Sequence, residues 1–146
     1  MTEHFTLYEF IRSERAKAAG INNTPPDTIH GNIKITLEGL ERVRKVLKQP
    51  IIILSGYRCS ELNRLVKGSS GSQHIDGQAA DIICPMFGKP KEVALLIEKH
   101  ADVIKYDQLI FEGGSMGDWV HISFSDRDRR QALTKYKKGE YKRGIA

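Results

Sequence analysis

The feature that most constrains this chain is a set of three metal-binding residue types that stand far apart and have to meet. The segment Ser72-Gln73-His74-Ile75-Asp76-Gly77-Gln78-Ala79-Ala80-Asp81 carries a histidine and an aspartate, and Asp118-Trp119-Val120-His121 carries a second histidine much later in the chain. Two imidazoles and one carboxylate are three ligands. Three protein ligands with one position left open is the pattern of a catalytic zinc, whereas a structural zinc is normally closed by a fourth ligand, most often cysteine. Gly77 permits a tight turn between His74 and Asp81, so both side chains can return to one point. His121 has to arrive from a different strand. With period two, Trp119, His121 and Ser123 share one face and Val120, Ile122 and Phe124 the other. One face then packs into the core while the other presents His121.

The same residues suggest a chemistry. Two neutral imidazoles and one carboxylate leave a bound Zn2+ with residual positive charge, which favours ionisation of a water. Asp118 sits just before the last ligand, at or before the start of the strand. A bend there would set its carboxylate beside the metal, where a general base takes the water's proton and later delivers it to a leaving amine. A fixed cation would help stabilise the oxyanion. The best candidate is Arg58, in Ser55-Gly56-Tyr57-Arg58 at the end of an apolar run. His4, His30 and His100 read as structural: a terminus, a helix residue and a helix end.

Along the chain, Thr6-x-x-Glu9 predicts a capping box opening a short helix. Ser13 predicts the cap of a second, with Gly20 as its stop. Asn22 to Pro26 reads as a loop. Asp27 is expected to cap the longest helix, about residues 28–48, whose stripe is Ile29, Ile33, Leu37, Leu40, Val43 and Leu47. Ile51 to Leu54 predicts a buried strand. Ser60 is expected to cap a short helix stopped by Gly68, followed by a polar Gly/Ser loop from Lys67 to Gly71. Ala79 to Cys84 predicts another buried strand, and Pro90 opens a helix through about His100. Gln108 to Glu112 and Trp119 to Phe124 predict strands, with a turn beginning at Gly113-Gly114. The order of elements predicts an α+β fold.

The length of 146 residues fits one domain, 1–146, ending in a basic segment from 126 to 146. No apolar run approaches the ~20 residues of a membrane span. The polar start Met1-Thr2-Glu3-His4 lacks a signal-peptide pattern, so the expectation is synthesis in the cytoplasm, with release depending on something else. The net charge of +5 suits an anionic partner: nucleic acid, an anionic membrane or a bacterial wall. Two cysteines, Cys59 and Cys84, are too few for a disulfide scaffold, and sequence leaves open whether they pair.

Taken together, Ser72-x-His74, Asp81 and Asp118-x-x-His121, with Ser55-Gly56-Tyr57-Arg58 and Leu62-Asn63 upstream, resemble the zinc D-Ala-D-Ala carboxypeptidase and L-alanyl-D-glutamate endopeptidase family. Among its members the chain is most similar to the small phage-type, endolysin-like ones. The resemblance covers roughly residues 6–125. It implies the fold shared with the hedgehog signalling domain, a small antiparallel sheet with helices packed on one side. It implies that His74, Asp81 and His121 bind zinc, that Asp118 is the general base and that Arg58 holds the substrate carbonyl or oxyanion. Ser72 would bind the peptide and Tyr57 would line the pocket. Gln108 and Glu112, on one strand face, would contact substrate. Many carboxypeptidase members carry glutamate where this chain has Asp118, which tilts the expectation toward an endopeptidase without settling the bond.

The implied substrate is the peptidoglycan stem peptide, and the implied setting is a cell-wall lysin delivered by holin-type release. The basic tail (Arg127, Arg129, Arg130, Lys135, Lys137, Lys138, Lys142 and Arg143) either attracts the anionic wall or is a solvated terminal segment. The alternative function is a non-catalytic, zinc-containing wall-binding module of the same fold. A nucleic-acid binder is disfavoured because no aromatic-basic interleaving or helix-turn-helix signature is present. A monomer is expected.

Overall fold

The helices begin where their caps dictate. Thr6 opens α1 (Leu7–Ile11) with a complete capping box: its hydroxyl accepts from the Glu9 N–H at 3.2 Å, and the Glu9 carboxylate accepts from the Thr6 N–H at 3.1 Å. Ser13 caps α2 (Glu14–Ala19), and Gly20, left-handed at φ 69°, closes it. The long amphipathic segment is α3 (His30–Leu47). Ile33, Leu37, Leu40, Val43 and Leu47 are buried, and Ile29 packs partly against the same core. Its start differs from the expectation. Asp27 makes no capping bond but is the first residue of a 3-10 turn, Asp27–Ile29, which runs directly into α3. Pro26 holds the chain extended up to that turn, so the helix enters from a tightened first turn rather than from a side-chain cap.

The structure is a computed structural model that describes residues 1–114, 117–137 and 140–146. Gly113 and Gly114, expected to begin a turn, are strand residues instead, and residues 115–116, the tail residue Lys138 and the Lys137 side chain lie outside the described residues. After α3 come β1 (Ile52–Ser55), α4 (Ser60–Leu65), β2 (Ala79–Ile83), α5 (Pro90–Lys99), α6 (Ala101–Ile104), β3 (Gln108–Gly114), β4 (Gly117–Ser123), β5 (Gln131–Lys137) and β6 (Glu140–Arg143). Among the described residues no helix is long and apolar enough to cross a membrane.

Two local expectations shift. The cap of α4 is Cys59, whose Sγ accepts from the Leu62 N–H at 3.4 Å, and Ser60 is the first helical residue. The apolar run Ile51 to Leu54 is not buried throughout: Ile51 and Ile53 face the core, while Ile52 and Leu54 are exposed. β1 is an edge strand with one covered face, and an unbroken apolar run carries no alternation to reveal that. Both cysteines are free thiols.

One mixed α+β architecture results, a six-stranded sheet in the order β1-β2-β4-β3-β5-β6. The first four strands in that order pair antiparallel, as expected, and β5 joins β3 in parallel, carrying β6 antiparallel on its outer edge. The basic tail is therefore part of the sheet. Ala80, Ile82, Leu109, Val120 and Ile122 turn toward α3 and α5 and form the core with them. By alternation Asp81, Ile110, Glu112, Trp119, His121 and Lys135 lie on the other face.

Two glycines hold the loop over that open face. Gly77 is left-handed at φ 70°, and a Cβ there would collide with Ile29 of the 3-10 turn and Ile33 of α3. The turn is pinned by the Thr36 hydroxyl donating to the Gly77 carbonyl at 2.8 Å and by the Asn32 amide donating to the Asp76 carbonyl at 3.0 Å. Gly56 passes so close to α1 that a Cβ would strike the Phe10 carbonyl and ring. Its neighbour Tyr57 donates its N–H to that carbonyl at 2.9 Å. Gly56→Ala is therefore expected to destabilise the protein by about 1–3 kcal/mol through overpacking. Urea denaturation of the two proteins side by side checks this.

Candidate metal centre and its cleft

Asp81 and His121 are direct cross-strand partners on β2 and β4, so their side chains leave the same face at the same level. His74 comes down on them from the loop that Gly77 turns. The Nδ1 of His74 lies 2.7 Å from the Gly56 carbonyl oxygen. A carbonyl only accepts, so Nδ1 carries the proton and Nε2 keeps its lone pair. That Nε2 is buried without a hydrogen-bond partner and lies 3.4 Å from Asp81 Oδ1. His121 Nδ1 is 3.1 Å from the same oxygen. One ligand atom from each of the three residues falls within 4.8 Å of the other two, and among the described residues this is the one such set of metal-ligating groups.

These donors fit a metal. A buried imidazole nitrogen left as a bare acceptor, its ring fixed by a backbone carbonyl behind it, is the usual setting of a metal-bound histidine. The electrostatics agree. Burial alone would raise the Asp81 carboxyl, and positive charge at the two imidazole positions outweighs it and lowers the group below the ordinary carboxylate range; a bound cation would act in the same sense.

Around the cluster is a cleft of about 450 Å³ whose lining includes Arg58, Ser72, Glu112, Trp119 and Lys135. Arg58 is tied to the ligand loop by its own backbone, its N–H donating to the His74 carbonyl at 3.1 Å. Burial lowers its pKa, and Asp81 and Glu112 partly restore it. Its Nε, like the Trp119 indole N–H, is a buried donor without a partner. Ser72 lines the cleft, but its hydroxyl accepts from the His74 N–H at 3.2 Å and so shapes the ligand turn.

Two predicted site residues are placed elsewhere. Tyr57 is 5% exposed and belongs to the hydrophobic core rather than to the cleft lining, its hydroxyl pKa pushed up by burial. Asp118 pairs with Gly113, one step along β4 from the Trp119–Glu112 pair, and is therefore on the opposite face from His121. Its carboxylate lies over Gly113 and is not part of the cleft lining. The strand is regular there, and the bend that would have turned Asp118 toward the metal cluster is absent. The structural reading of His4 and His100 has partners to show: Nδ1 of His4 is 2.7 Å from Glu41, and Nδ1 of His100 is 3.0 Å from the Leu96 carbonyl.

One functional support had no sequence reading. Asp107 is fully buried just before β3 and accepts from the Arg129 side chain at 2.8 Å, from the Arg129 N–H at 2.9 Å, from the Gln73 amide at 2.9 Å and from the Ser125 hydroxyl at 2.9 Å. It fastens the residue before His74 to the loop after β4. An acid preceding a strand is a common turn residue, and only the tertiary fold shows what it binds.

Three side chains of metal-ligating type thus meet beside a cleft on the open face of an α+β sheet. The sequence pattern of the family described as Peptidase M15 matches residues 3–123, and the chain belongs to that family. Among solved structures, the L-Ala D-Glu endopeptidase ChiX of Serratia marcescens is similar over 71% of this chain and 91% of that one, at 19% identity and a TM-score of 0.42. A likeness of that degree says nothing about substrate. None of the curated proteins matches the chain.

Two outcomes follow from this geometry. The wild type is expected to retain about one zinc per chain after dialysis, as a three-donor catalytic site does, and His74→Ala and Asp81→Asn to retain far less; elemental analysis of dialysed protein checks both. The Asp107 carboxyl is pushed up by burial but pulled further down by the hydrogen bonds from Arg129, Gln73 and Ser125. Because its folded pKa is depressed, its stabilisation is full above the unfolded value of about 3.9 and fades as pH falls through the lower folded value. Asp107→Asn is expected to cost about 3 kcal/mol at neutral pH, with the gap to wild type narrowing below about pH 4. Denaturation in chelator at several pH values reads this without a contribution from metal release.

Proposed function

We propose that this chain is a zinc-dependent peptidase that hydrolyses an amide bond in the stem peptide of bacterial peptidoglycan. The observation that carries the reading is the buried, unpartnered Nε2 of His74 directed at Asp81 beside His121, in a member of a peptidase family. Zinc would be held by His74 Nε2, Asp81 Oδ1 and His121 Nδ1. When bound, it supplies Lewis-acid polarisation and favours ionisation of a water.

The chain's own residues supply the rest. Arg58 offers a guanidinium donor with no internal partner at Nε, suited to a carbonyl oxygen that gains negative charge. The Trp119 indole N–H is a second free donor in the same cleft. Ser72 fixes the turn that delivers His74. The cleft lining also includes Lys67 and Arg127, whose charge complements a peptide bearing free carboxylates, as a stem peptide does. The scissile bond is either L-Ala-D-Glu or D-Ala-D-Ala. The phage-type, endolysin-like setting, with cytoplasmic synthesis and holin-type release of a monomeric single domain, rests on the sequence resemblance alone.

Mass analysis of peptidoglycan fragments after incubation, with zinc and with a chelator, tests the reading. New fragments that form only with zinc are expected. Free D-alanine identifies a carboxypeptidase, and cleavage between L-alanine and D-glutamate an endopeptidase. A folded, zinc-loaded protein that yields no new fragment would overturn the peptidase in favour of a wall-binding module.

A further inference from the structure

We infer that Glu112, rather than Asp118, is the carboxylate that accepts the proton of the attacking water and hands it to the leaving amine. This rests on the peptidase reading above and names the residue that completes its site.

The sheet register places Glu112. Asp81, His121, Ile110 and Leu133 form one row across β2, β4, β3 and β5 on the open face. The adjacent row contains Trp119 and Glu112, directly opposite each other, and on the tail strands Lys135 and Tyr141, also directly opposite. Glu112 thus stands one row from the metal cluster, on its side of the sheet, with its side chain 14% exposed. Its Oε2 is 3.9 Å from His121 Nδ1, the atom that faces Asp81. Its Oε1 is 3.4 Å from Lys135 Nζ, so one oxygen is held by the tail strand and the other is directed at the cluster. Arg58 lines the same cleft as Glu112. Glu112 is not a member of the mutually close set of donor atoms, so it stands beside the ligands rather than among them.

Asp118 has no comparable route. Because side chains alternate along a strand, turning Asp118 onto the open face by a one-residue slip of β4 would carry His121 into the core. Leaving β4 in place keeps Asp118 over Gly113.

The step balances. The water oxygen bonds to the carbonyl carbon while Glu112 takes one of the water's protons. The C–N bond then breaks, that proton passes to the amine nitrogen, and Glu112 returns to its carboxylate. The products are a carboxylic acid and an amine, with no other reactant.

The experiment compares wild type, Glu112→Gln, Glu112→Asp and Asp118→Asn on one purified stem-peptide fragment, with three readouts. These are hydrolysis by mass analysis, zinc bound per chain after dialysis, and peptide binding by the fluorescence of Trp119, the one tryptophan in the chain, which lines the cleft. Glu112→Gln is expected to lose at least about 100-fold in turnover, the low end for removal of a general base. It should keep wild-type zinc and bind the uncleaved peptide within a few-fold of wild type. Glu112→Asp, which keeps the charge but withdraws it by one methylene, is expected to keep zinc and to fall between the two in rate. The loss in Glu112→Gln should exceed that in Asp118→Asn. Near-wild-type turnover in Glu112→Gln, loss of its zinc, or a larger fall in Asp118→Asn overturns the assignment while leaving the peptidase intact. A wild type that hydrolyses nothing overturns both.

Discussion

The pairing of Asp81 with His121 across β2 and β4 is the constraint on which the site depends. A carboxylate and an imidazole directly opposite each other on neighbouring strands are brought within ligand distance by backbone hydrogen bonds alone, with no flexible loop between them. The same register sends Ala80, Ile82, Val120 and Ile122 into the core. Sliding either strand by one residue would bury the ligands and expose the apolar set, so hydrophobic burial holds the metal donors in place. At roughly 1.5–3 kcal/mol for each large buried side chain, the core opposes that slip far more strongly than the ligands could.

The third donor needs a different device, because His74 lies on a loop. Three ties replace a ladder there. The Gly56 carbonyl fixes the ring and its tautomer, α3 grips the Gly77 turn, and Asp107 holds Gln73. Each demands a particular residue. Gly56 has no room for a side chain beside Phe10, Gly77 adopts a left-handed backbone against α3, and Asp107 must carry charge to gather Arg129, Gln73 and Ser125. An imidazole N–H left buried without its acceptor would cost about 1–3 kcal/mol, so the loop and the segment after β1 are coupled through that ring nitrogen as well as through the Arg58 N–H.

Much of this was legible. The stripe of α3, the capping box of α1, the proline start of α5 and the alternation of β4 are local patterns, and each became the expected element. The cluster was legible because histidine and aspartate at those points, with a glycine between two of them, leave few other reasons to occur together. What failed to show depends on pairing rather than on pattern. The exposed face of β1 follows from its place at the sheet edge. The burial of Tyr57 follows from the passage of α1 over Gly56. The orientation of Asp118 follows from an unbroken ladder opposite Gly113, where the sequence admitted a bend. Glu112 was readable as a face partner of Gln108, but its nearness to His121 exists only once β3 and β4 are side by side.

The C-terminal segment shows why a family match need not mark the limit of a working site. The matched region ends at residue 123, yet the chain beyond it returns as β5 and β6 on the free edge of β3. That edge would otherwise expose unpaired N–H and C=O groups beside the cleft. Covering it does more than seal the sheet. Lys135 is delivered to Glu112 at 3.4 Å and lies 5.9 Å from the ring centre of Tyr141, while Arg129 is locked to Asp107 behind the ligand loop. The basic residues there are thus not one solvated run. Lys135 and Arg129 are spent within the site, Arg130 pairs with Asp128, and Arg127 stands at the cleft rim. The positive charge that composition shows as a sum is distributed by the sheet, part of it holding the site together and part lining the way in.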